Sequence, residues 1–125
     1  MSTTKKVLIG EDSSVIQNLT KKILEFQNFT ISSAKNGKDV LKALETESFD
    51  IILLDINMPQ MDGMTCAREI RNMKSAIAQI PLVAITGNAR NYSDDDFKEA
   101  GFNDYLQKPL DFDKLVEVVK RYTNQ

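Results

Sequence analysis

Histidine is absent from this 125-residue chain, and cysteine occurs once, as Cys66. The first absence removes histidine-based triads and most zinc sites. The second removes any internal disulfide. Cys66 sits in a helical pattern with no second cysteine or histidine to assist it, and it reads as a small packing residue rather than a nucleophile. No charge of one sign dominates: 16 Lys and Arg against 18 Asp and Glu leave a net charge of −2. Neither nucleic acid nor a membrane surface is therefore expected as a main partner. Charges are interspersed except at Asp94-Asp95-Asp96. From Met1 to Asp12 there is no long apolar stretch of the kind a signal peptide needs, so the expected location is cytoplasmic. Internal repeats, linkers and low-complexity segments are also missing.

What the chain does have is alternation. With 42% hydrophobic residues over 125 positions, it carries enough apolar side chain to fill one core, and residues 1–125 are expected to form one domain. Lys6 to Ile9 is a short apolar run. Ser13 to Gln27 follows with Ile16, Leu19, Ile23 and Phe26 at helical spacing. Phe29 to Ser33 reads as a weak second strand, Asn36-Gly37 as a turn, and Val40, Leu41 and Leu44 as the stripe of a second helix. Asp50 to Leu54 is apolar on both faces, as a central parallel strand covered by helices must be. Pro59 and Gly63 then mark a loop, and a third helix runs from about Met64 to Met73 with Ala67 and Ile70 inward. Pro81 opens a fourth strand. Ser93 with Asp96 makes a capping box for a fourth helix that Gly101 ends. Asn103 to Gln107 is the fifth strand, and Asp111 caps a last helix that turns Phe112, Leu115, Val116 and Val119 to the core. Five βα units predict an α/β fold: a doubly wound, five-stranded parallel sheet with five helices.

Four of the apolar runs end in residues suited to phosphate and metal. Glu11-Asp12 follow Val7-Leu8-Ile9, Asp55 follows Ile51 to Leu54, Thr86 follows Leu82 to Ile85, and Lys108 follows Tyr105-Leu106. In open α/β sheets ligands bind outside the carboxyl ends of the strands, so these side chains are expected to share one pocket. Three carboxylates, a hydroxyl and an ammonium there suggest Mg²⁺ and phosphoryl chemistry.

At this point the chain resembles a receiver domain of the two-component response-regulator family. The residues that carry the resemblance are Glu11-Asp12, the stretch Leu54-Asp55-Ile56-Asn57-Met58-Pro59-Gln60-Met61-Asp62-Gly63, the triplet Ile85-Thr86-Gly87, and Ala100-Gly101 leading to Asp104-Tyr105-Leu106-Gln107-Lys108-Pro109. Four pieces in order at strand ends are far more specific than any one of them. The resemblance implies the flavodoxin-like receiver fold and a phosphoacceptor role for Asp55, supplied by a histidine kinase or histidine phosphotransfer protein. Since the chain has no histidine, the phosphohistidine must be the donor's. It further implies Mg²⁺ held by Asp12, Asp55 and the main-chain carbonyl of Asn57, with Glu11 acting through a water.

Lys108 is implied to pair with the acyl phosphate as a compact point charge, aimed inward by a cis bond to Pro109. Thr86 would donate its hydroxyl to the phosphoryl group, Gly87 would leave room beside it, and Tyr105 would rotate inward as Thr86 moves. By the same resemblance, Asn57 and Asn88 sit at loop positions that in this family affect access of hydrolytic water to the acyl phosphate. Asp62 and Gly63 are expected to shape the loop, Gly63 through a positive φ. Ser13, Ser14 and Asp94 to Asp96 read as helix starts.

The expected function is a phosphorylation-controlled switch that catalyses only its own modification and is not otherwise an enzyme. Output would pass to an unidentified downstream protein through the face of the fourth helix, fifth strand and fifth helix, by a monomer or a phosphorylation-dependent dimer. The chain would be a stand-alone regulator or the receiver of a hybrid kinase. A phosphatase-like enzyme using an aspartyl phosphate would want a second acid two residues after Asp55, where Asn57 stands. A flavin-type cofactor module would want a glycine-rich loop where Glu11-Asp12 stand. A phosphorylation-independent binding module is the remaining alternative.

Overall fold

The three central strands of this chain are too apolar to face water on either side, and the fold follows from covering both their faces. The computed structural model describes residues 4–73, 75–87 and 92–124. Its elements are β1 (Lys6–Gly10), α1 (Ser14–Phe26), β2 (Thr30–Ala34), α2 (Gly37–Thr46), β3 (Ile51–Asp55), α3 (Gly63–Arg71), β4 (Leu82–Thr86), α4 (Asp94–Ala100), β5 (Asp104–Gln107) and α5 (Phe112–Thr123). All strand pairs are parallel, in the order β2-β1-β3-β4-β5. Every residue of β3 and β4 is buried. Alternate side chains feed two cores. Leu8, Ile52, Leu54, Leu82 and Ala84 pack with α2, α3 and α4, whereas Val7, Ile9, Ile51, Leu53, Val83 and Ile85 pack with α1 and α5.

Local capping sets where the helices begin. Ser13, Asn36, Asp62, Ser93 and Asp111 each accept a backbone N–H of the first turn, and Ser93 with Asp96 forms the reciprocal capping box. Asn36 is thus a helix cap and Gly37 the first helical residue, not a free-standing turn. Gly101 ends α4 at φ 108, a left-handed position open to glycine. Gly63 does not adopt positive φ. It is required for clearance instead, because a Cβ there would lie 2.5 Å from the Asp55 carbonyl oxygen. Gln60 takes the positive φ of that loop, at 67°.

Two further features depart from the sequence expectation. A 3-10 helix, Ala76–Gln79, lies between α3 and β4, held by Arg71. That side chain donates to Ala78 O (2.8 Å), Ile80 O (2.7 Å), Gly101 O (2.8 Å) and Asn103 Oδ1 (2.9 Å), tying the ends of α3 and α4 together. The buried face of α1 is also turned to one side of the expected stripe, leaving Ile16 and Ile23 half-buried at its edge. Its buried residues are Gln17, Thr20 and Leu24, while Leu19 and Phe26 join Val15 as exposed apolar residues, Phe26 at 84%.

Candidate functional site

β1 and β3 are neighbours, with Gly10 opposite Leu54, although β2 intervenes between them in sequence. The chain thus reverses direction across the sheet here, and a crevice opens at the strand ends. Glu11 leaves β1 into that crevice and Asp55 closes β3 beside it. Suitably placed oxygens of Glu11, Asp12 and Asp55 lie within 4.8 Å of one another. Glu11 and Asp55 are buried and Asp12 is exposed, giving the cluster a closed floor and an open mouth.

Lys108 supplies the counter-charge. Its Nζ is 2.9 Å from Asp55 Oδ2 and 3.4 Å from Glu11 Oε1. The Lys108 N–H donates to Thr86 O at 2.8 Å, which continues the β4–β5 pairing past β5 and carries the side chain back over the site. The Lys108–Pro109 bond is cis. Gly87 lies along the path of that side chain: a Cβ there would meet only Lys108 Cδ, at 3.8 Å. Burial pulls the ammonium pKa down, but Asp55 and Glu11 more than compensate, and it stands above the usual lysine value.

Each carboxylate is held on one side. The Asn57 N–H donates to Asp55 Oδ1 (3.0 Å) and the Ser13 N–H to Glu11 Oε2 (3.2 Å). Glu11 Oε1 is buried with no hydrogen-bond partner, the one such side-chain atom among the described residues. Burial and the adjacent Asp55 push the Glu11 carboxyl up to about 7. A buried carboxylate oxygen with no hydrogen bond, its near counter-charge the Lys108 ammonium at 3.4 Å, stands beside two further acids as a donor set that a hard cation fits, because Mg²⁺ takes oxygen ligands.

The fold brings Glu11, Asp12, Asp55 and Lys108 into contact distance and sets Thr86 at the end of β4, buried, beside them. Asn57 lies two residues past the end of β3, in the loop over the crevice. Asn88 lies outside the described residues. Tyr105 is on the α4 side, its ring stacked on Phe97 at 4.8 Å and 17°. Its hydroxyl faces Asp94, whose charge and hydrogen bonding raise the phenol pKa. Sequence reasoning passed over Gln17, whose amide is buried behind Glu11. Hydrophobic periodicity has no signal for it, since a glutamine scores as a solvent-facing residue.

Fold and crevice together define a doubly wound α/β protein with an acidic, lysine-bridged site at its switch point. The sequence matches the response regulator receiver domain over residues 7–120, and the chain belongs to that family, which serves two-component signal transduction. Hybrid signal transduction histidine kinase M of Dictyostelium discoideum is 33% identical over 119 residues, covering 92% of this chain and 5% of that protein. The transcriptional regulatory protein CrdR of Helicobacter pylori is 31% identical over 120 residues, covering 96% of this chain and 55% of that protein. This chain thus spans a small part to about half of such relatives. Among solved structures, the receiver domain of sensor histidine kinase PA1611 from Pseudomonas aeruginosa superposes with a TM-score of 0.89 at 28% identity, over 98% of this chain and 100% of that one. A magnesium ion is coordinated in its active-site cleft. The chemotaxis response regulator CheY4 of Vibrio cholerae gives 0.87 at 26% identity, over 96% and 99%. Among the described residues, no helix is long and apolar enough to cross a membrane.

Proposed function

We propose that this receiver is a phosphoacceptor switch in which Asp55 takes a phosphoryl group from the phosphohistidine of a histidine kinase or phosphotransfer protein. The observation that carries the reading is the Lys108 ammonium 2.9 Å from Asp55 Oδ2 and 3.4 Å from the buried Glu11 Oε1. It is an arrangement with one cation in place and an oxygen set waiting for another. An Asp55 oxygen attacks phosphorus, and the P–N bond breaks as the P–O bond forms. The donor's imidazole departs with the electron pair and takes a proton from solvent. Asp12, Asp55 and the main-chain carbonyl of Asn57, with Glu11 acting through a water, would hold a Mg²⁺ ion, which would supply the charge that lets a carboxylate meet a phosphoryl group.

The chain's own residues do the rest. Asn57 N–H holds Asp55 in line from one side. Lys108 exchanges Asp55 Oδ2 for a phosphoryl oxygen, and Gly87 leaves room for that group. Thr86 donates its hydroxyl to another phosphoryl oxygen, and the shift is passed to Tyr105, which leaves its stack on Phe97. The donor docks over α1, whose exposed Val15, Leu19 and Phe26 run back from the mouth of the crevice. Output leaves by protein contact through α4, β5 and α5, where a groove lined by Asp104 to Pro109 and Lys114 opens beside Lys108. Hydrolysis of the acyl phosphate resets the switch.

Acetyl phosphate with and without Mg²⁺, read by intact mass on wild type and Asp55→Ala, tests the reading. One Mg²⁺-dependent phosphoryl adduct, absent from Asp55→Ala, is the expected result. No adduct on wild type from either acetyl phosphate or phosphoramidate would reassign the chain as a phosphorylation-independent binding module.

A further inference from the structure

A glutamine in the buried face of α1 needs a reason, because its amide loses water and its flexible side chain loses rotamer freedom. Gln17 is buried, and its Nε2 donates to two main-chain carbonyls, Glu11 O at 3.0 Å and Ala34 O at 3.2 Å. Two acceptors fix which end of the amide faces them. The same Ala34 O also accepts the Glu11 N–H at 3.0 Å. Ser13, whose carbonyl accepts the Gln17 N–H at 2.9 Å, donates its own N–H to Glu11 Oε2 at 3.2 Å. Glu11 is therefore held from behind at its N–H, its carbonyl and one carboxylate oxygen, and its Oε1 faces the crevice, 3.4 Å from Lys108 Nζ. The carbonyl that Gln17 holds belongs to the peptide joining Glu11 to Asp12. Its orientation sets both acids.

Resting on the metal reading above, we infer that Gln17 is a positioning residue of the cation site. It touches neither ion nor phosphate, and acts by clamping the Glu11–Asp12 peptide against the end of β2. Groups that orient metal ligands from behind change affinity about 10- to 100-fold when removed. Gln17→Met keeps length and volume and deletes both donors. Thr20→Val is the control: it changes another buried polar residue on the same helix face, away from the clamp.

Mg²⁺ binding by titration calorimetry, together with acetyl phosphate phosphorylation across Mg²⁺ concentrations, separates the outcomes. Gln17→Met is expected to raise the Mg²⁺ Kd about tenfold or more, with a phosphorylation deficit that closes as Mg²⁺ is raised, and Thr20→Val to leave the Kd where it was. A Gln17→Met Kd within about twofold of wild type overturns the inference whatever happens to its Tm, while wild-type binding and phosphorylation leave the site reading intact. Wild type that binds no Mg²⁺ overturns both. Should Gln17→Met not fold, wild type alone decides by NMR: the Gln17 side-chain amide protons are expected to be protected from exchange and to shift on Mg²⁺ saturation. Exchange at the solvent rate, or no shift, sinks the inference.

Discussion

Glu11 is the residue at which stability and function conflict. Its carboxyl is raised from 4.5 to about 7, first by burial and then by Asp55. The folded protein without metal therefore holds a proton that the unfolded chain has released. Stability from this group is fully present below pH 4.5 and is lost as pH rises through about 7. The shift corresponds to about 3 kcal/mol at most. Glu11→Gln keeps an acceptor for the Ser13 N–H and removes the charge. Urea unfolding in EDTA is expected to show wild type losing stability between pH 5 and pH 8 and Glu11→Gln much flatter, the variant being the more stable at pH 8 by about 1–3 kcal/mol. Parallel pH profiles would mean that Glu11 is not the group that titrates. That Glu11, Asp12, Asp55 and Lys108 meet at one edge was legible in sequence because each lies at or just beyond the end of an apolar run, and parallel strands bring such ends together. Their orientation was not, since it depends on Gln17 and on backbone donors at Ser13 and Asn57, which leave no mark in residue type.

At the scale of elements, α1 shows how a correct helix can be read with the wrong face. Ile16, Leu19, Ile23 and Phe26 recur at helical spacing, yet the side toward the sheet carries Gln17, Thr20 and Leu24. Apolar periodicity assumes that buried positions are apolar. Here the buried side pairs Leu24 with an amide and a hydroxyl, Ile16 and Ile23 are half-buried at its edge, and Leu19 and Phe26 stand outside. Substitutions should discriminate sharply. Leu24, fully buried in the α1–α5 core, should cost about 2–5 kcal/mol as Leu24→Ala, whereas Phe26→Ser should stay within about 0.5 kcal/mol of wild type in urea unfolding. Comparable losses for both would mean that α1 packs by its other face. The end of α4 follows similar logic. Gly101 was legible as a helix stop, but the Arg71 side chain occupying the space where its Cβ would go was not, because that contact joins residues distant in sequence. The 3-10 helix escaped notice for the same reason, being held by Arg71 rather than by its own pattern.

For the whole molecule, the proposed cation would compete with the proton for one cluster, and folding would read the result. A ligand that binds only the folded state stabilises it by about 2.7 kcal/mol at 100 times its Kd, roughly 10 °C in Tm for a chain of this size. Ion binding needs Glu11 ionised, so below about pH 7 the cation must displace the proton that burial has placed there. In EDTA the fold weakens as pH rises through that value. Under saturating Mg²⁺ the same ionisation strengthens the site and offsets the loss. Melting curves with and without Mg²⁺ are therefore expected to separate progressively from pH 6 to pH 8, with the larger Mg²⁺-induced rise in Tm at the alkaline end. Asp55→Ala, lacking one ligand and the acid that presses on Glu11, should show both a smaller rise and a weaker pH dependence. A Tm increment that is equal at pH 6 and pH 8 would sever the link between the Glu11 proton and the cation, and would move the ion to carboxylates other than this cluster.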